Sequence, residues 1–200
     1  MSLKARNITF RYRRQGQPAV LDGVNLNLEP GERVGLSAPS GRGKTTLCKL
    51  LAGYERPAKG EILLDGRPLS QYRGACPVQM IWQHPETVLD PLLPLEESLL
   101  EAGPVEERLL DELHIQPQWL RRYPQELSGG ELQRFCIARA LGPGTRYLLC
   151  DEISAMLDLV TQAQIWEFLL REAQQRNLGL LVVSHSESLM RQVCTRVEAL

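Results

Sequence analysis

The N-terminal part of the chain alternates apolar and polar positions in the way that strands with one buried face do. The alternating apolar residues are Ile8, Phe10, Val24, Leu26 and Leu28. The dipeptide Asp22-Gly23 between the two sets is typical of a turn. The pattern therefore predicts two antiparallel strands between Ala5 and Leu28, with a turn at Asp22-Gly23.

Farther along, short apolar runs alternate with amphipathic stretches of helical period. The predicted strands are Arg33–Ser37, Gly60–Gly66, Tyr147–Cys150 and Leu180–Val183, and the predicted helices are Thr45–Ala52, a segment starting at Glu131, and Ala163–Gln175. Alternation of this kind predicts an α/β fold with a mostly parallel sheet. The N-terminal strands add an antiparallel β subdomain to it.

The middle of the chain has a different character because prolines interrupt it repeatedly. Between the prolines, one helical stretch places Val105, Leu109, Leu110 and Leu113 on a common face. We therefore expect one domain over residues 1–200, with a core formed by 1–84 and 127–200 and an inserted helical subdomain at 85–126.

The segment Ala38–Thr45 joins a predicted strand to a predicted helix and carries the pattern G-x-x-x-x-G-K-[ST], except at its first position. Backbone N–H groups of this loop can surround an anion at a helix N-terminus, and phosphate is the natural guest. The residues assigned to this nucleotide site are Ser40, Gly41, Arg42, Gly43, Lys44, Thr45 and Thr46. An ordinary glycine-rich turn is the alternative, which the order strand, turn, lysine, hydroxyl and helix disfavours.

Ala38 is the departure from that pattern. If its backbone needs a positive φ, the methyl group costs roughly 1–2 kcal/mol. If φ is negative, alanine costs little.

Two acidic residues, Asp151 and Glu152, follow the apolar strand Tyr147–Cys150. At the end of a central strand, Asp151 is suited to hold Mg²⁺ and Glu152 to polarise an attacking water. Capping of the next helix is the alternative, which a phosphate loop earlier in the chain makes less favourable.

Ser128 and Glu131 have the spacing of a helix capping box, which places Gly129 and Gly130 in the first helical turn. Bare N–H groups at such a helix start can accept an anion. The spacing alone equally fits a well-capped structural helix. Two anion sites far apart in sequence nevertheless suggest one nucleotide held between two subunits.

The chain carries a formal net charge of -1, so it offers no broad positive field for nucleic acid, and we expect no nucleic-acid partner. Its five cysteines show no CxxC spacing and favour free thiols over disulfides or zinc.

Taken together, these segments resemble the nucleotide-binding subunit of the ATP-binding cassette (ABC) transporter family over nearly the whole chain. Gln83 in Met80–His84 matches the family's Q-loop, Ala155–Asp158 its D-loop, and His185 after Ser184 its switch histidine. Tyr12 falls where the family stacks an aromatic ring on adenine. Residues 83–91 and 95–100 resemble the branch of oligopeptide, dipeptide and nickel importers.

The resemblance implies ATP as substrate and Mg²⁺ held by Thr45, Gln83 and Asp151. It implies Glu152, His185 and Lys44 as catalytic residues, with Tyr12, Gln83, Ser128, Gly129 and Gly130 added to the nucleotide site. The implied partners are transmembrane permease subunits, a second cassette, identical or a sister chain, and an extracytoplasmic substrate-binding protein. The implied location is the cytoplasmic face of the membrane.

Plainer roles compete with three of these assignments: a solvated loop glutamine for Gln83, a strand-end histidine for His185, and simple packing for Tyr12. Four positions also depart from the family, namely Ala38, Glu131, Ile153 and Ser186. Two other functions remain open here: a soluble ABC-type ATPase, and a degenerate nucleotide-binding regulator, which Ala38 and the short C-terminal end would suit.

Overall fold

A computed structural model describes residues 2–12 and 18–200, which form nine strands and six α-helices. The strands are β1 Leu3–Phe10, β2 Leu21–Leu28, β3 Arg33–Ser37, β4 Lys59–Leu64, β5 Arg67–Pro68, β6 Val78–Ile81, β7 Tyr147–Asp151, β8 Gly179–Val183 and β9 Arg196–Ala199. The helices are α1 Lys44–Leu51, α2 Leu95–Leu100, α3 Glu107–Glu112, α4 Gly129–Ala140, α5 Leu159–Arg176 and α6 Glu187–Val193.

The strands form two sheets. The first is antiparallel with strand order β2-β1-β4-β5, and the second is parallel with strand order β6-β7-β8-β3-β9. Residues of β7 and β8 are buried throughout, as expected for central strands covered on both faces. This arrangement is the α/β fold with an antiparallel β subdomain that the sequence predicts.

The core consists of two apolar clusters on opposite faces of the parallel sheet. One packs the antiparallel sheet and α1 against residues such as Leu149 and Leu181. The other packs α4, α5 and the segment 85–126 against residues such as Leu148 and Leu180. Since successive side chains of a strand point to opposite faces of the sheet, adjacent residues of β7 and β8 belong to different clusters.

The structure corrects the predicted turn at Asp22-Gly23. Both residues lie inside β2, at an irregularity in its pairing with β1 where Gly23 has φ 67°. The hydroxyl of Thr9 donates to the Asp22 carboxylate at 3.2 Å. The Asp-Gly signal therefore marks a bulge, which uses the same positive φ as a turn.

Other boundaries differ because caps and neighbours override periodicity. Helix α5 starts at Leu159, earlier than predicted, since the Asp158 carboxylate accepts hydrogen bonds from the N–H groups of Val160 and Thr161. The patterns also miss β6 and β9, the two edge strands of the parallel sheet. The segment 85–126 contains only short helices and turns.

Helix α3 is joined to α5 by a charged cluster of three arginines and three glutamates. Glu172 in α5 is fully buried, accepts a hydrogen bond from Arg108 at 2.7 Å and forms an ion pair with Arg176 at 2.9 Å. The remaining members are Glu106, Glu112 and Arg171.

All five cysteines are free, and burial raises the pKa of the Cys136 thiol to about 12. Within residues 2–12 and 18–200, no helix combines the length and apolar character that a membrane span requires.

Candidate nucleotide site

The predicted site residues lie on segments that follow neighbouring strands of the parallel sheet. Across the sheet, Ile81 is paired with Cys150, and Val183 is paired with both Asp151 and Leu36. The loop after β3, the segment with Gln83, the acidic pair and the segment with His185 therefore all begin at the carboxyl ends of neighbouring strands. Open α/β sheets bind ligands outside the carboxyl ends of their strands.

Glycine geometry shapes the loop between β3 and α1. Gly41 and Gly43 have φ 77° and 91°. A Cβ on Gly43 would lie 2.7 Å from Leu21 Cδ2 and 3.1 Å from the carbonyl oxygen of Val20, so only glycine fits there. The antiparallel sheet thus packs closely against the loop.

Ala38, the departure from the pattern, does not belong to the described non-glycine residues with positive φ. Its methyl group therefore carries no left-handed strain, and the cost of 1–2 kcal/mol does not arise. The sequence left two possibilities open, and the structure selects the second.

Lys44 is almost completely buried and folds back over its own loop. Its ammonium group donates to the carbonyl oxygens of Ala38 at 2.7 Å and Pro39 at 3.3 Å. Both acceptors are neutral, so neither balances the positive charge of the lysine, and the charged group that interacts with it is Asp151. An anion with several acceptor oxygens is a better partner for such a group.

Asp151 lies beside the start of α1 and has an unsatisfied oxygen. It is 3% exposed, and its Oδ1 is buried without a hydrogen-bond partner among the described residues. Burial raises its pKa and the charge of Glu152 acts in the same direction, whereas the Thr45 hydroxyl and Lys44 lower it. A buried carboxylate oxygen beside a threonine hydroxyl fits Mg²⁺, which prefers oxygen ligands.

Glu152 and His185 face each other across the ends of β7 and β8. His185 Nε2 lies 2.9 Å from Glu152 Oε1, and both residues line a cavity of about 320 Å³. Glu152 has φ 51°, a left-handed conformation that is rare for a glutamate, and its N–H donates to the Val183 carbonyl at 3.0 Å. Such local strain is typical of functional positions.

The start of α4 forms the expected capping box. The Glu131 carboxylate accepts from the Ser128 N–H and from the Ser128 hydroxyl, each at 2.8 Å. These hydrogen bonds, the backbone one first, lower the pKa of Glu131. Gly129 is exposed and has open space where a Cβ would lie.

The α4 start opens onto a separate cavity of about 500 Å³. Its described lining includes Ser128, Gly129 and Gly130 together with Met156, Leu157 and Asp158, and it contains no residue of the loop 38–45. One chain therefore does not bring its two predicted anion sites together. His114, Gln116 and Trp119, for which the sequence predicts no role, also line this cavity.

Tyr12 is 43% exposed and sits near the phosphate loop. Its hydroxyl forms a 3.0 Å hydrogen bond with the hydroxyl of Thr46 in α1, and Phe10 contacts its ring edge-on with centroids 5.0 Å apart. The ring is thus fixed next to α1 while one part of it faces solvent. This placement suits a stacking platform for a base.

Gln83 follows β6 and is half-buried. The residue before it, Trp82, is held by a second glutamine, Gln133 in α4, whose side chain donates to the Trp82 carbonyl at 3.3 Å. No role for Gln133 was predicted from the sequence. The signal was available, since Gln133 shares a helix face with the apolar residues Ile137 and Ala140.

The glycine-rich loop joins a strand to a helix, and Asp151 ends a neighbouring strand on the same side of the sheet. This combination defines a P-loop ATPase. The sequence profile of ABC transporters matches residues 21–155, and the chain belongs to the ABC transporter family. It is therefore an ATPase of that family.

Relatives and solved structures agree with this assignment. The chain is 34% identical to the nickel import ATP-binding protein NikE of Pseudomonas putida, over 98% of this chain and 80% of the relative. It is 37% identical to the protein of the same name from Rhodospirillum rubrum, over 98% of this chain and 79% of the relative. A solved ATP-binding cassette, a dimer in a post-hydrolysis state with ADP and Pi, matches with TM-score 0.86 and 25% identity over 99% of this chain and 94% of that one.

Proposed function

We propose that this chain is the ATP-binding and ATP-hydrolysing subunit of an importer. The proposed ATP hydrolysis rests on one observation. His185 Nε2 lies 2.9 Å from Glu152 Oε1, at the strand ends beside the start of the phosphate loop. The names of the relatives, which are nickel import proteins, support the transport part.

Two chains acting together would complete the site. The Ser128 helix start and the Lys44 loop belong to separate surfaces of one chain, so a nucleotide that uses both must lie between two chains. A head-to-tail pair would place each ATP between the loop of one chain and the α4 start of the other. The solved cassette with ADP and Pi is a dimer, which supports the pairing of two chains.

Within that site, the chain's own groups divide the chemistry. Tyr12 would stack on the base, and the N–H groups of 41–44 would hold the phosphates. Glu152 would orient a water molecule toward the γ-phosphorus, and His185 would hold Glu152 in place and donate toward the phosphate. Lys44, released from the carbonyls of Ala38 and Pro39, would stabilise the developing negative charge.

Mg²⁺ would be held by Thr45, Gln83 and Asp151, and when bound it neutralises charge on the phosphates. The unsatisfied Asp151 Oδ1 supports this assignment. The ligand set is otherwise the one the family resemblance implies.

The transport role requires membrane partners. We assign the chain to the cytoplasmic face of the membrane, attached through permease subunits, with an extracytoplasmic binding protein that delivers the cargo. The helical segment 85–126 would carry ATP-driven motion to the permease. Nickel, or a nickel chelate, is the cargo that the relatives favour.

A substitution of Glu152 tests the catalytic role. Glu152→Gln should bind ATP as the unmodified chain does while turnover falls by about 100-fold or more, because the water loses its base. The matched control is Glu187→Gln, which changes an exposed glutamate paired with Arg191 at 3.1 Å. An unchanged ATPase rate in Glu152→Gln would contradict the assignment of Glu152 as the catalytic base.

Uptake by cells tests the transport role. Cells that lack this chain should lose nickel accumulation and regain it with the unmodified chain, but not with Glu152→Gln. Loss of methionine or dipeptide uptake with normal nickel uptake would keep the importer and replace the cargo. Normal uptake of all three would contradict the importer.

A further inference from the structure

Gln133 is a polar residue in an apolar place. It is 1% exposed, and it lies in α4 among residues of the larger apolar cluster, such as Leu132 and Phe135. Burying an amide is unfavourable unless it is hydrogen-bonded, so the amide must make its bond where it lies. That bond goes to the carbonyl oxygen of Trp82 at 3.3 Å.

The indole of Trp82 is held from another direction. The ammonium of Lys49 lies 5.2 Å from the ring centroid, and the Tyr54 ring packs against it at 5.3 Å between centroids. Lys49 belongs to α1 and Tyr54 follows it. Trp82 is therefore fixed by α4 through its backbone and by α1 through its ring.

These two helices begin at the two halves of the proposed nucleotide site. Helix α1 begins at Lys44 of the phosphate loop, and α4 begins directly after Ser128. The residue that they jointly fix immediately precedes Gln83, the proposed magnesium ligand. A displacement of either helix would therefore change the direction in which the chain leaves Trp82.

We propose that Trp82 and Gln133 are positioning residues that set the orientation of Gln83 according to the positions of α1 and α4. This inference rests on the proposed function, since it requires Gln83 to act at the nucleotide site. In this arrangement, each chain links its own phosphate loop to the α4 start that serves the partner's ATP. The Gln133 amide provides directionality, which an apolar residue of similar size would not.

Gln133→Met in the full chain is the central test, because methionine keeps the volume and removes the donor. The matched control is Gln79→Met, since Gln79 also donates its amide to a backbone carbonyl, that of Cys76 at 2.7 Å. Trp82→Leu removes the ring contacts, and Trp82→Phe retains an aromatic ring. Thermal unfolding identifies any variant that fails to fold.

Two readouts separate positioning from simple stability. The first is hydrogen exchange of the amides in residues 82–90 without nucleotide, which should become about tenfold faster in Gln133→Met and Trp82→Leu but not in Gln79→Met. The second is the split between binding and turnover. Affinity for ATP without Mg²⁺ should stay within about twofold, while kcat falls about tenfold and the Mg²⁺ concentration for half-maximal activity rises.

Unchanged exchange at 82–90 together with unchanged Mg²⁺ dependence in Gln133→Met would overturn the inference. If Gln133→Met does not fold, the same result in Trp82→Leu would overturn it, because Trp82 is only partly buried. Failure of the proposed function looks different. In that case the unmodified chain has no ATPase activity that Glu152→Gln removes.

Discussion

His185 Nε2 lies 2.9 Å from Glu152 Oε1, and a backbone hydrogen bond ties the two strand ends that carry these residues. The Glu152 N–H donates to the carbonyl of Val183, two residues before His185. The carboxylate therefore meets the imidazole through a short connection at the ends of two adjacent strands. The contact thus places a carboxylate and an imidazole together at the strand ends, and catalysis requires such positioning of a base and its partner.

His185→Ala should lower kcat by about 100-fold, because it removes both the support of Glu152 and a donor toward the phosphate. Affinity for ATP should change by less than about threefold, since the phosphate loop remains intact. Steady-state ATPase assays and equilibrium ATP titration measure the two quantities. A variant with normal kcat and weakened ATP binding would assign His185 to nucleotide binding alone.

Glu131 places a negative charge at the start of α4, where the proposed partner ATP would lie. Its pKa is lowered by hydrogen bonds from Ser128, so it remains ionised in ordinary assay buffers. Glu131→Gln should therefore reduce the ATP concentration needed for dimerisation by about two- to fivefold in the Glu152→Gln background. Size-exclusion chromatography with light scattering measures this, and the effect should shrink as salt increases.

Glu126→Gln is the matched control for that change. Glu126 forms the same kind of contact in the preceding turn, accepting from the Tyr123 N–H at 2.7 Å. Dimerisation that improves equally in both variants would attribute the effect to net charge rather than to the position of Glu131.

Ala38→Gly should change ATP affinity by less than about twofold, since Ala38 has no positive φ to relieve. It should slightly lower stability, by up to about 1 kcal/mol, through greater freedom of the unfolded chain. Gly43→Ala should instead abolish tight ATP binding, because its Cβ would meet Leu21 at 2.7 Å. ATP titration and thermal unfolding of both variants measure these effects. Tighter ATP binding by Ala38→Gly would show that the Ala38 methyl group does hinder the loop.

Stability at acid pH should depend on Asp65. The hydrogen bond from Arg146, at 2.7 Å, holds the pKa of Asp65 below its usual value. The unfolded chain therefore takes up the proton first, and stability is lost as the pH falls through the unfolded and then the folded pKa. Asp65→Asn should cost about 1 kcal/mol or less at neutral pH and nothing at the acid end.

Urea unfolding between neutral and acid pH measures this dependence. The difference between Asp65→Asn and the unmodified chain should vanish as the pH falls. A difference that stays constant over the whole range would attribute the effect to the turn at Asp65, which has φ 55°, rather than to its charge.

Local chemistry made much of the fold predictable from sequence. The buried strands β7 and β8 are largely apolar runs, and the capping box at Ser128 places Gly129 and Gly130 in the first turn of α4. The strand, loop and helix around Lys44 follow in the order that phosphate binding requires. These features depend on neighbours in sequence, so the sequence expresses them directly.

Features that depend on distant partners were not predictable in the same way. Gly23 could be a turn or a bulge until its pairing with β1 was known. Whether Ala38 is strained depends on backbone angles that no pattern reports. The tie between Gln133 and Trp82 joins residues 51 positions apart.

The charged cluster between α3 and α5 constrains how this region can vary. Arg108 and Arg176 both bond to the fully buried Glu172, and the cluster as a whole is neutral, with three arginines and three glutamates. Removing Arg108 or Arg176 takes a partner away from the buried Glu172 carboxylate, whereas replacing Glu172 and both arginines together by apolar residues can be nearly neutral. A library randomised at Arg108, Glu172 and Arg176 and selected for active protein should therefore return joint replacements of the three far more often than single ones.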